Sequence, residues 1–115
     1  MNFFDALNAH AAWKQRLRRH LADPAGHPLS ATAAGRDDQC SLGRWLSKHA
    51  KESDALEELR QAHARLHREV EAVVRAAEED VGAAHALLEA RFVPASARLQ
   101  RLLRRHAQQG LRKAG

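Results

Sequence analysis

Residues 40–46 read Cys-Ser-Leu-Gly-Arg-Trp-Leu, and the interpretation of the whole chain begins from this stretch. It contains the only cysteine and one of the two tryptophans, and it places a glycine between large apolar residues. Further along, His63 and His67 lie four residues apart in a strongly helical segment. Four residues is just over one helical turn, so both imidazoles project from the same helix face. The two side chains can therefore reach one metal ion.

The composition favours a single all-α domain. Alanine, leucine, arginine and glutamate dominate the 115 residues, tyrosine is absent and β-branched residues are few. Such residues form helices readily and give little material for a sheet, and the length is usual for one domain. We expect an antiparallel four-helix bundle over residues 1–109, with three long helices and one short helix carrying the cysteine. Residues 110–115 are expected to form a frayed tail.

Apolar periodicity predicts where the helices lie and which side chains face the core. The predicted helices cover residues 3–22, 39–49, 53–79 and 82–108. His10 lies in the middle of the first apolar stripe, and His63 and His67 lie on the centre line of the third. Pro94 falls inside the last pattern, so a kink there, or a break just before it, is expected.

The connection between the first two predicted helices is long for a small domain. Two prolines and a glycine within residues 23–28 end the first helix, and a helical turn is expected only near residues 30–34. Asp37 and Asp38 are candidate N-caps for the short helix, which would place Cys40 in its first turn, where the helix dipole favours a thiolate. Gly43 within a helix costs roughly 1 kcal/mol against alanine. Close approach by another helix is the expected compensation.

The candidate ligands are Cys40, His10, His63 and His67, from three different helices. One thiolate and three imidazoles suit tetrahedral zinc. Each residue alone also has an ordinary structural interpretation, as a core histidine or as a small buried hydrophobe. His106 is a competing candidate because it too lies on an apolar stripe, whereas the remaining histidines look peripheral.

Several other classes of protein are disfavoured. A single cysteine excludes an internal disulfide, and neither a signal peptide nor an apolar run long enough for a bilayer is visible, so we expect a cytoplasmic protein with no membrane contact. Four protein ligands argue against a catalytic zinc, and Arg60 and Ala64 stand where a di-iron bundle needs carboxylates. We therefore expect no enzyme activity. The net charge of +5 permits nucleic-acid binding, but few aromatics are available for stacking, so contact with a partner helix is preferred.

Taken together, these residues resemble the chemoreceptor zinc-binding (CZB) domain family. His10 is followed by Trp13, then by Cys-Ser-Leu-Gly-Arg-Trp from Cys40, and then by the pair His63 and His67. The hallmark of that family is a cysteine followed by an apolar residue, glycine and tryptophan, with one histidine upstream and an H-x-x-x-H pair downstream. The resemblance covers roughly residues 3–105.

The resemblance implies a cytoplasmic four-helix bundle that regulates a signalling protein. It implies Zn²⁺ held by His10, Cys40, His63 and His67, with the cysteine helix supported by Leu42, Gly43 and Trp45, and with Trp13, Asp37 and Asp38 as candidate neighbours of the ligands. Such domains usually sit on bacterial chemoreceptors or diguanylate cyclases, often as dimers. We accordingly expect a homodimer and a signalling partner in trans. The implied input is the zinc level or oxidation of Cys40, notably by hypochlorous acid.

Overall fold

In a computed structural model, the chain is all-helical. The structure describes the backbone of residues 1–114 and the side chains of residues 1–111, and these contain no strand. The seven α-helices are α1 (Phe3–Ala11), α2 (Trp13–Ala22), α3 (Ala31–Gly35), α4 (Ser41–His49), α5 (Asp54–Glu79), α6 (Val81–Leu87) and α7 (Val93–Ala114). The predicted fold class, all-α, is confirmed.

The first predicted helix is divided. Residues 3–22 form α1 and α2, with Ala12 between them, whose N–H points to the carbonyls of both Asn8 and His10. On either side of this break the packing differs, since α1 packs mainly against α7, whereas α2 packs against α5 and α6. The apolar stripe is nevertheless confirmed, since His10, Trp13 and Leu17 are all buried. A single straight helix over residues 3–22 was therefore the wrong expectation.

The connection before Cys40 contains more structure than the sequence indicated. The expected turn near residues 30–34 is the short helix α3, capped by the Ser30 side chain, and it packs on α5. Asp37–Gln39 form a 3₁₀ turn, and Cys40 itself is the N-cap of α4. The predicted N-cap roles of Asp37 and Asp38 are wrong, because the Cys40 sulfur caps the helix instead, accepting a hydrogen bond from the N–H of Gly43 in the first turn of α4.

The longest helix, α5, is the centre of the core. Ser53 caps its first turn as predicted, accepting a hydrogen bond from the N–H of Leu56. Its buried face includes His63, Leu66 and His67, and it contacts each of the helices α2, α3, α4, α6 and α7. The two histidines are thus held on the most enclosed surface of the protein.

The last predicted helix is interrupted just before Pro94, as expected. Residues Leu88–Phe92 form a π-helical turn between α6 and α7, in which the N–H of Val93 reaches the carbonyl of Leu88. Proline has no N–H to give to a regular helical bond, so the irregular turn accommodates it. Helix α7 continues past the expected end at residue 108 as far as Ala114. Much of the tail expected at 110–115 is therefore helical, and Gly115 lies outside the described residues.

The fold is thus a helical bundle that differs in detail from the prediction. Only α5, with 26 residues, and α7, with 22, are long uninterrupted helices. The expected set of three long helices and one short helix is not reproduced, because Ala12 divides the first and the connection adds α3. Among the residues the structure describes, no helix has the length and apolar character needed to cross a membrane.

Candidate metal centre

Four side chains from three parts of the fold converge beneath the Asp37–Gln39 turn. His10 comes from α1, Cys40 from the start of α4, and His63 and His67 from α5. The three imidazoles are buried, with exposed fractions of 4 % or less, whereas the cysteine is only half-buried. The arrangement is closed on the α5 side and open to solvent on the side of the sulfur.

One potential ligand atom from each of these four residues lies within 4.8 Å of the other three. The Nε2 atom of His63 is 3.1 Å from Nε2 of His10, 3.1 Å from Nε2 of His67 and 3.1 Å from the sulfur of Cys40. The sulfur lies 3.9 Å and 4.0 Å from Nε2 of His10 and His67. All four electron-pair donors thus surround one small volume.

Two backbone carbonyls fix the orientation of two of the rings. Nδ1 of His10 lies 2.7 Å from the carbonyl of Ala6, and Nδ1 of His67 lies 2.8 Å from the carbonyl of Ala34. A carbonyl can only accept, so each Nδ1 carries the proton and the neutral ring presents a lone pair at Nε2. Both lone pairs point into the cluster.

The third ring, His63, cannot donate a hydrogen bond to each of the acceptors around it. Burial, together with the nearby His67 and His10, lowers the pKa of His63 to about 3, so the ring is neutral near pH 7. A neutral imidazole has one N–H, which can serve only one of the three electron pairs around its Nε2. Its Nδ1 is buried without a hydrogen-bond partner among the described residues. The cluster as folded therefore places several electron pairs around one volume without a positive charge to balance them.

A metal ion of zinc's size fits this donor set. Tetrahedral zinc, with bonds of about 2.0 Å to nitrogen and 2.3 Å to sulfur, separates its nitrogen ligands by roughly 3.3 Å and sulfur from nitrogen by roughly 3.5 Å. The two nitrogen separations, from Nε2 of His63 to Nε2 of His10 and of His67, are both 3.1 Å and slightly shorter than this value, whereas the sulfur separations of 3.1, 3.9 and 4.0 Å lie on both sides of theirs. Small side-chain rotations are enough to accommodate the ion.

The environment of Cys40 opposes an isolated thiolate. Burial raises the pKa of the Cys40 thiol, and the N–H groups of Gly43 and Leu42 lower it only in part. The sulfur lies 3.3 Å from the Gly43 nitrogen and 3.6 Å from the Asp37 carbonyl, to which the thiol donates. The start of α4 thus favours the thiolate, as expected, but in the metal-free site burial outweighs this effect and raises the pKa of the thiol. A metal ion would have to supply that stabilisation.

Glycine at position 43 is required by close packing. A Cβ atom there would overlap the carbonyl oxygen of Asp37, lie 2.7 Å from its carbonyl carbon and approach Cε1 of His63 to 3.1 Å. The neighbour is thus the 3₁₀ turn before α4 as well as the expected second helix. Gly43 lets the start of α4, which carries the sulfur, lie directly against both the Asp37 carbonyl and the His63 ring.

The other support of α4 is apolar and aromatic. Leu42 and Leu46 are buried in the core. Trp45 is half-buried, meets the Phe3 ring edge-on with centroids 5.5 Å apart, and stacks on His49 at 4.5 Å. Through Phe3, which also contacts the His106 ring at 5.3 Å, the cysteine helix is connected to both α1 and α7.

The three predicted neighbours of the ligands differ in what they contribute. Trp13 is buried, and its ring lies edge-on to His67 with centroids 6.2 Å apart. Asp37 acts through its backbone carbonyl. Asp38 is exposed and its carboxylate pairs with Arg36 at 3.1 Å, so its expected place beside the ligands is wrong.

Sequence reasoning had no means of finding two participants, the carbonyls of Ala6 and Ala34. Alanine carries no chemical signal, and only the folded backbone shows that these oxygens set the ring tautomers. The competing candidate His106 lies against Phe3, apart from the cluster.

These features define a class: a helical domain with three buried histidines and a half-buried cysteine that together suit one metal ion. Comparison with known protein families matches residues 10–74, more than half of the chain, to the chemoreceptor zinc-binding domain. The chain belongs to that family. No curated protein and no solved structure shows a significant match.

Proposed function

We propose that the chain binds one Zn²⁺ through His10, Cys40, His63 and His67 and acts as a regulatory domain. The observation that carries this proposal is the convergence of three Nε2 atoms and one sulfur on a common centre, two of them with lone pairs directed inward by backbone carbonyls. The family match supports zinc as the metal, and the mixture of nitrogen and sulfur donors suits it.

Cys40 is the proposed input of the regulation. When bound, zinc would displace the thiol proton and hold a thiolate, the form that oxidants attack. The sulfur is half-buried and borders a cavity of about 580 Å³ between α1 and α4, so a small oxidant can reach it. With hypochlorous acid the net step is RS⁻ + HOCl → RSOH + Cl⁻. Sulfur loses two electrons and gains an S–O bond, the Cl–O bond breaks, and chloride leaves.

Loss of the thiolate would release α4. A sulfenic acid is a poorer metal ligand than a thiolate, and Cys40 is the N-cap that joins this helix to the cluster. Movement of α4 would change the contacts of Trp45 with Phe3, and through Phe3 those of α1 with α7. Removal of zinc by a fall in its concentration would act through the same four residues. Both inputs belong to this proposal.

The output is proposed to be a change in binding to a signalling protein in the cytoplasm. The proposed partner is a chemoreceptor, which the description of the matching family names, or a diguanylate cyclase acting in trans, and the proposed state of this chain is a homodimer. An enzymatic role is not proposed, because four protein ligands would leave zinc no position for a substrate or water. The alternative is a module for a partner helix or nucleic acid, in which zinc is purely structural.

Metal analysis of protein purified without chelator tests the proposal. We expect one zinc per chain in the wild type, with affinity strongly reduced in Cys40→Ser and His63→Ala. His85→Ala is the matched control, because that histidine is exposed on α6 and should leave the metal content unchanged. A wild-type protein free of zinc, or variants that retain it fully, would refute the proposed ligand set.

A further inference from the structure

An apolar groove lies between the beginning of α1 and the end of α7, away from the metal cluster. Met1, Phe4 and Leu111, with exposed fractions of 46 %, 42 % and 61 %, are among the few large apolar side chains exposed in the described residues, and all three line this groove. Its volume is about 400 Å³. Gly110 also lines it, and no atom lies within 4 Å of the position its Cβ would take. The groove therefore has apolar walls, and it is open at Gly110, where no side chain projects.

The surface beside the groove is positively charged. Arg104 precedes Leu111 by seven residues, about two helical turns, so both lie on nearly the same face of α7. Arg101 lies one turn before Arg104 on the adjoining face, whereas Arg105 lies roughly 120–140° around the helix from Leu111 and Gly110, away from the groove. All three arginines are exposed, and none takes part in an ion pair with another residue that the structure describes. The α7 sequence contains no acidic residue and continues with further basic residues.

The nearest acidic residue in α1 does not offset this charge. Asp5 is the only acid in that helix, and it lines the cavity beside Cys40, which shares Met1 and Asn2 with the groove, rather than the groove itself. The groove thus combines an apolar interior with an unneutralised basic edge. These are the features that recognise a helix with one apolar face and acidic flanks.

We infer that this groove, defined by Met1, Phe4, Ala107, Gly110 and Leu111, binds an acidic amphipathic helix of a partner protein. The partner's apolar side chains would fill the groove, and its carboxylates would pair with Arg104 and Arg101. A second copy of the chain is a poorer occupant, because a two-fold contact through this patch would bring the basic edges together. The inference does not depend on zinc, since none of these residues belongs to the metal cluster.

The probe is a synthetic helical peptide of roughly 18 residues, long enough to be helical on binding, with leucines on one face and glutamates beside them. Isothermal titration calorimetry on the zinc-loaded full chain should detect saturable binding that weakens with salt. Leu111→Gln and Arg104→Glu should each weaken it by about tenfold. Val81→Gln and Arg65→Glu are the matched controls, since they replace another exposed apolar residue and reverse an exposed charge elsewhere, and both should bind within about twofold of wild type.

Four outcomes would overturn the inference. One is a peptide that fails to bind, or that binds the groove variants as well as the controls. A second is equal binding of a peptide in which lysines replace the glutamates. In a third, a DNA duplex binds more tightly than the peptide and is lost with Arg104→Glu but retained with Leu111→Gln, which would identify a polyanion site. The fourth is a wild-type dimer in sedimentation analysis that Leu111→Gln makes monomeric and the peptide fails to dissociate.

Discussion

Replacing Gly43 with alanine tests the packing that places the cysteine beside the histidines. In an exposed helix this change stabilises by roughly 1 kcal/mol. Here the new Cβ would lie 2.7 Å from the carbonyl carbon of Asp37, closer than the 3.0 Å below which real Cβ contacts are essentially never found. Because comfortable contacts between carbon atoms are about 3.5 Å or longer, the turn would have to move by on the order of 1 Å.

The expected size of the effect follows from two opposing contributions. Overpacking in a dense interior costs about 1–3 kcal/mol, and the neighbour is backbone, which cannot swing aside as a flexible side chain does. Subtracting the gain in helix propensity leaves a net loss of about 0–2 kcal/mol. Gly110→Ala in α7 is the matched control, because its Cβ would meet no atom within 4 Å. That variant should gain up to about 1 kcal/mol.

Thermal and urea denaturation of both variants, with zinc and with a chelator, gives the comparison. Gly43→Ala should unfold roughly 4–12 °C below Gly110→Ala, since each kcal/mol shifts the midpoint by about 4 °C in a domain of this size. Competition with a chromophoric chelator should show zinc affinity about 10–100-fold weaker, the usual effect of disturbing groups that orient ligands. If Gly43→Ala is as stable as Gly110→Ala and binds zinc normally, then the close approach of the Asp37 carbonyl and the His63 ring to position 43 is not what requires glycine there.

Three further results are expected. In the metal-free protein His63 takes up a proton near pH 6.5 when the chain is unfolded, but only near pH 3 when it is folded. The free energy of unfolding should therefore decrease as the pH falls from about 6.5 towards 3. Urea denaturation with chelator across that range checks this, and a flat profile would contradict it. In a Trp13→Phe background, where Trp45 is the only tryptophan, one equivalent of hypochlorite should release zinc and shift the fluorescence, and adding Cys40→Ser should abolish the shift; an unchanged spectrum in the parent would refute the proposed movement of α4. The zinc affinity of Asp38→Asn should stay within about twofold of wild type, since the Asp38 carboxylate pairs with Arg36 rather than with the cluster. A larger loss in the same chelator competition would show that Asp38 is a neighbour of the ligands after all.

The sequence predicted the side chains of the cluster because they carry a periodic signal. His10, His63 and His67 occupy positions where an apolar residue is expected, and a buried imidazole without a partner is costly. Their presence on the core-facing stripes of two helices therefore indicates a shared site from the sequence alone. The same periodicity identified the core residues of α5 and α7, and Pro94 indicated the irregular turn before α7.

Backbone details were beyond such reasoning. Nothing in the composition around Ala12 marks a helix break, which arises from α1 and α2 packing on different helices. Cysteine is rarely considered as an N-cap, so the two aspartates before Cys40 were preferred for that role. The reason for Gly43 lies in a contact with the Asp37 carbonyl, which depends on how residues 37–39 turn. Tertiary contacts determine each of these features, and local sequence propensity does not predict them.

X-ray absorption at the zinc edge of the purified wild-type protein tests the central claim most directly. We expect one sulfur at about 2.3 Å and three nitrogens at about 2.0 Å from the metal, with the sulfur contribution lost in Cys40→Ser. A first coordination shell without sulfur in the wild type, or a sulfur signal that persists in Cys40→Ser, would contradict the assignment of His10, Cys40, His63 and His67 as the ligands.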